Sequence, residues 1–116
     1  MQQTPEPLAK FHAKVDKSGR IIIPKYIRDT YGIKPNDFVV LIIRKVSIDK
    51  KNRKVYVHSQ FKFSGKVNER GVVVIPKQYR SRFTIEPGEL VEVLLMDYHE
   101  PEETTPTTTT YTYVFL

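Results

Sequence analysis

Apolar and polar positions alternate from Lys10 onward. Phe11, Ala13 and Val15 point one way, and His12, Lys14 and Asp16 the other. A period of two predicts a half-buried strand. Residues 16–19, Asp-Lys-Ser-Gly, supply turn chemistry, and the β-branched triplet at 21–23 predicts a second strand. Pro24 suits the first turn of a helix, with Gly32 as its stop and Pro35 just beyond. On that helix Ile27 and Tyr31 fall at i and i+4 on an apolar face, whereas Lys25 and Arg28 share a solvated one. Residues 38–46 are apolar on both faces, as in a strand buried on two sides. Residues 49–53 then give a polar hairpin turn, and the alternation at 54–58 a fourth strand. The unit is ββαββ.

The unit occurs twice. At a constant offset of 52 residues, 12 of the 34 pairs from Lys10/Lys62 to Ile43/Leu95 are identical, including Gly19/Gly71, Pro24/Pro76 and Arg28/Arg80. A repeat of this size marks an internal duplication. In the second copy Tyr79 and Phe83 replace Ile27 and Tyr31, and Thr84 stands where Gly32 stood, which weakens that helix stop. Its third strand is predicted at 90–96. The expected organisation is a loose arm at 1–9, a first repeat at 10–59 and a second at 60–116. Within the second, residues 99–110 are expected to be an overlong Thr-rich loop and residues 111–116 a last strand. Each repeat is under about 60 residues and marginal alone, which favours two copies sharing one core.

Charge narrows the function. The net charge of +6 favours a polyanionic partner. There is no cysteine, which fits a reducing, cytoplasmic setting. The longest apolar run, 38–43, is too short to span a bilayer, and the N-terminus lacks a signal-peptide pattern, so no membrane association is expected. His12, His58 and His99 lie in different segments without metal-ligand spacing, and no serine sits in a nucleophile elbow. A non-enzymatic protein without metal or cofactor is the expectation. Cations meanwhile recur at matched places. Lys10, Lys14, Lys17 and Arg20 cluster on the first hairpin, and Lys62, Lys66 and Arg70 on the second. Lys25 and Arg28, and Lys77, Arg80 and Arg82, add basic helix faces. Singly, such residues are ordinary solvated charges. As a set repeated on a rigid scaffold they suit duplex-DNA phosphates.

The stretch VDKSGRIIIPKYIRDTYGIKPND resembles the AbrB/MazE/SpoVT swapped-hairpin DNA-binding family, whose hallmark runs V-D-x-x-G-R-hydrophobic-P, helix, G-I-x-x-G-D. The second copy matches less well, with Asn68 for the Asp and Val72 for the Arg. The resemblance implies a mainly β fold with short helices, in which two ββαββ repeats interleave in a swapped-hairpin β-barrel. Here that would be a single-chain, monomeric pseudo-dimer. It also implies DNA contacts from Lys14, Arg20 and Arg28, with Lys66 and Arg80 as a second set. The resulting expectation is a transcription regulator. The alternatives are the antitoxin of a toxin–antitoxin pair, with a toxin as protein partner, and a protein-interaction or architectural module on the same fold.

Overall fold

The computed structural model describes residues 6–101. Six strands and two short helices follow in the order β1 (Ala9–Lys14), β2 (Arg20–Ile22), α1 (Lys25–Tyr31), β3 (Phe38–Asp49), β4 (Lys54–Lys66), β5 (Val72–Val74), α2 (Lys77–Arg82) and β6 (Leu90–His99). The fold is mainly β with short helices, as the alternation predicts. The expected strand at 111–116 and most of the Thr-rich loop lie outside the described residues. His99, placed in that loop by the sequence, ends β6. The expected arm at 1–9 reaches too far. Leu8 donates its N–H to the Leu95 carbonyl (2.8 Å), and Ala9 opens β1.

A four-stranded antiparallel sheet has the order β1-β6-β3-β4, and β2 pairs with β5 in a separate two-stranded ribbon. The expected barrel is not formed: the two sheets stay separate, and β1 and β4 remain edges. β2 and β5 are only three residues long and pair with each other, so the ribbon does not bridge β1 to β4. Val15 still bonds ahead of β6, its N–H donating to the Glu89 carbonyl and its carbonyl accepting from the Gly88 N–H.

Pairing runs between the sequence copies. Ile42 faces Leu94 in β3–β6, flanked by Leu41↔Leu95 and Ile43↔Val93; a shift of 52 residues exchanges the flanking pairs. Ile21 faces Val73 in the ribbon, where Arg20↔Val74 and Ile22↔Val72 exchange likewise. Phe11↔Val93 in β1–β6 corresponds to Phe63↔Leu41 in β4–β3. Each copy's first strand thus lies against the other copy's long strand. The inward residues Val15, Ile21, Ile23, Leu41, Ile43 and their counterparts Val67, Val73, Ile75, Val93, Leu95 are nearly inaccessible to solvent and form one core. Burying each such side chain contributes roughly 1.5–3 kcal/mol. Both copies' sets lie in this one cluster.

The helices cap this core. Pro24 and Pro76 precede them in extended conformation (ψ 142° and 138°). Ile27 is buried, and Tyr79 and Phe83 stack on Phe61 with ring centroids 5.0 and 4.8 Å apart. Thr84 adopts φ 53°, the left-handed stop that Gly32 makes at 66°. The weaker residue therefore makes the same stop.

The largest departure from the expected layout is β4. Strands expected separately at 54–58 and from 61 onward are one 13-residue strand, with the repeat boundary at 59/60 inside it. Every residue of 50–58 is exposed, so no inward face marks where one strand should end.

Candidate nucleic-acid interface

The recurring cations stand on two sides of the molecule. In β1 and β4 Phe11, Ala13, Phe61 and Phe63 point into the core, so Lys10, Lys14, Lys62 and Lys66 project from the outer face of the sheet. Glu92, only 5% exposed, lies at the middle of that face. Arg44 donates from Nη1 to it (2.9 Å), with Lys10 Nζ at 3.8 Å and His12 Nε2 at 3.9 Å. Lys10 is therefore partly neutralised. At the matched place in the first copy stands Val40, so Lys62 has no such neighbour. Lys66 holds its Nζ 5.7 Å from the Phe38 ring centroid.

The other side is built on the ribbon. Ile21 and Val73 face inward, so Arg20, Ile22, Val72 and Val74 face out. Ile22 and Val74 are 58% and 53% exposed. The turns carry Lys17 and Arg70 at either end, and the helix starts carry Lys25 and Lys77, all exposed. Asp16 organises the first turn, accepting from the Ser18 and Arg20 N–H groups (2.9 and 2.8 Å) and from Arg20 Nε (2.8 Å). The Arg20 backbone N–H, then its side chain and the Ser18 N–H, hold the Asp16 carboxyl below its ordinary pKa. Asn68 accepts the same two backbone bonds, from Arg70 (2.8 Å) and Val72 (2.9 Å). The Asp-to-Asn change thus keeps the turn and removes only the charge. Lys25 pairs with Asp29 (2.8 Å), whereas Ser81 stands at that place beside Lys77.

Arg28 and Arg80 have a different placement from the solvated helix face expected of Arg28. Each is half-buried and donates from Nε to a carbonyl before its own helix, Ile23 and Ile75 respectively (both 2.9 Å). Each then lies over the other copy's turn. A Cβ on Gly19 would overlap the Arg80 side chain at Nε, Cζ and Cδ, and one on Gly71 would overlap Arg28 at the same atoms. Both glycines take positive φ, 77° and 80°. The Gly19 and Gly71 carbonyls accept from Ile75 and Ile23 (both 2.9 Å), tying each turn to the opposite copy. These arginines pack the two copies together and leave only their terminal nitrogens for a ligand.

The three histidines are scattered. His12 faces Glu92, His58 shares a 2.8 Å hydrogen bond with Ser47, and His99 stacks on Phe38. Arg44 and Glu92 were not singled out by the sequence. The one available signal is an acid flanked by Val91 and Val93 in the otherwise apolar run at 90–96.

What the fold defines is a mainly β protein whose two sequence copies pair with one another. No family model and no curated protein matches the chain. The solution structure of PHS018 from Pyrococcus horikoshii is similar: 39% sequence identity and a TM-score of 0.69, covering 85% of this chain and 100% of that one. The chain belongs to the same family as PHS018.

Proposed function

We propose that the protein is a non-enzymatic, cytoplasmic DNA-binding regulator of the AbrB/MazE/SpoVT kind, its two repeats acting as a swapped-hairpin pseudo-dimer within one chain. The observation that carries this reading is the ribbon. Two antiparallel strands present Arg20, Ile22, Val72 and Val74 outward, flanked by Lys17, Lys25, Arg70 and Lys77 at related places. The major groove admits a two-stranded β-ribbon, and side chains facing out of it read base edges and thymine methyls. Flanking lysines set position through phosphates.

Arg20 is the base-reading candidate. Its partner Asp16 is an exposed ion pair, worth little in water, so exchange for a guanine edge is inexpensive. The second copy has Val72 there, and residues 59–116 carry a net charge of −2 against +8 for residues 1–58. The preferred site is therefore asymmetric, with the first copy dominant.

Fluorescence-anisotropy titration of random duplex DNA at two salt concentrations, followed by selection of a preferred sequence, tests the reading. Affinity that falls steeply with salt supports it. Absent or salt-insensitive binding overturns it, leaving the exposed Ile22 and Val74 to a protein partner.

A further inference from the structure

The hairpin joining β3 and β4 outruns the rest of the sheet. β6 pairs with β3 only as far as Lys45↔Val91, whereas β3 and β4 continue together through Val46↔Val57 to Asp49↔Lys54. At about 3.4 Å per residue the paired part extends roughly 13 Å past β6, with the tip beyond. The tip holds Lys50, Lys51, Arg53 and Lys54, all exposed, and none forms an ion pair with a described residue. The nearby acid, Asp49, is engaged by Asn52 through its backbone N–H (3.1 Å) and Nδ2 (2.8 Å). Four cations against the one carboxylate of Asp49 leave a net charge of +3 at the end of the hairpin, a local positive field.

The root of this arm places it beside the first copy's turn. Glu89 accepts from the Val15 N–H (2.9 Å), and its carboxylate lies 3.8 Å from Lys45 Nζ, where the arm begins. Lys45 is further fixed by the Thr84 carbonyl (2.6 Å). The second copy's turn is at the other end of β3, where Val67 and Asp37 bond (2.9 Å). Lys17, Arg20 and the arm therefore leave the same end of the sheet.

We propose that the arm is an additional phosphate-binding element. Lys50, Lys51, Arg53 and Lys54 contact the DNA backbone beyond the reach of the first copy's turn, lengthening the footprint on one flank only. The proposal rests on the DNA-binding reading above. Continuity with Lys17 and Arg20 favours DNA over an anionic membrane, although one face of the arm, Val46, Ile48, Val55 and Val57, is aliphatic.

The test compares the full chain with a quadruple variant, Lys50→Gln, Lys51→Gln, Arg53→Asn and Lys54→Gln. Asn is chosen because Arg53 sits at φ 56°, a conformation Asn tolerates. Anisotropy is followed against salt on duplexes of about one and about three helical turns, with thermal melting as the check of folding. The expected result is an unchanged melt, a salt slope on the longer duplex shallower by about 3–4, and little change on the short one. Equal slopes for both proteins on the longer duplex, with the wild type binding well, overturn the arm and leave the regulator reading standing. No wild-type binding to either duplex removes both. Loss of binding to phosphatidylserine vesicles by the variant, with DNA slopes unchanged, assigns the arm to membranes and overturns the proposal.

Discussion

The turn, ribbon strand and helix of residues 16–31 correspond in order and offset to those of residues 68–83, but their surfaces have diverged. Retained between them are Gly19/Gly71, Ile23/Ile75, Pro24/Pro76, Lys25/Lys77 and Arg28/Arg80, of which the glycines, isoleucines and arginines hold one copy against the other. Changed are Lys17/Glu69, Ser18/Arg70, Arg20/Val72, Tyr26/Gln78 and Asp29/Ser81, mostly at exposed places. Gly19/Gly71 and Arg28/Arg80 thus mark the joint, while most of the differences, together with the retained pair Lys25/Lys77, lie on the exposed face. A cation found at the same place twice is a weaker sign of ligand contact than it looks in sequence. Its reason for recurring can be the two-fold packing itself.

The comparison is broken hardest at Glu92. Glu92→Val alone leaves Arg44 without its carboxylate and should cost about 3 kcal/mol. Adding Arg44→Met reproduces the Val40 and Met96 of the matched place and should recover most of that loss. Urea denaturation of both variants measures it; no recovery in the double variant would mean the outer face differs between copies for other reasons.

Next come the turns. Gly19→Ala and Gly71→Ala each force a side chain into a left-handed residue and displace an arginine from its carbonyl. Each should cost roughly 2–3 kcal/mol in the same assay. The two losses should match; a clear inequality would show that the joint is not two-fold.

A third pair sharpens the divergent side. Arg20→Ala should weaken duplex binding and relax base preference by about 1–3 kcal/mol of discrimination. Val72→Arg should tighten binding and move the selected site toward a palindrome. Sequence selection on both variants reads this out.

The smallest effect separates Asp16 from Asn68. Because its hydrogen bonds lower the Asp16 pKa from 3.8, this carboxylate stabilises the fold above that pH, and the contribution is lost as pH falls through the lowered value. Asp16→Asn should flatten the acid limb of the melting profile while keeping both backbone bonds. It also releases Arg20 and removes a negative charge, so duplex affinity should rise slightly. Asn68→Asp should do the reverse in the second copy.

Much of the fold was legible because core strands obey a simple alternation and Pro24, Gly32 and Pro76 punctuate the helices. β4 was not, since the strand expected at 54–58 and the one expected from 61 onward leave out Ser59 and Gln60, which are both paired strand residues. The missing barrel follows from β2 and β5 being too short to do more than pair with each other, a length that no residue type announces. Residues 49–53 read only as a turn, because sequence shows their charge but not how far β3 and β4 carry it. For Arg28 and Arg80 only charge and spacing were legible. Which carbonyl each Nε would find, and which glycine each would cover, depended on the other copy.

The unbroken β4 carries a further consequence. It joins the copies without a linker, so their encounter is an event within one molecule, and mass action does not enter. A pair of separate chains with this pairing would come apart on sufficient dilution and lose its core. Here the melting temperature should not vary with protein concentration, and a few molecules per cell would be as fully assembled as many.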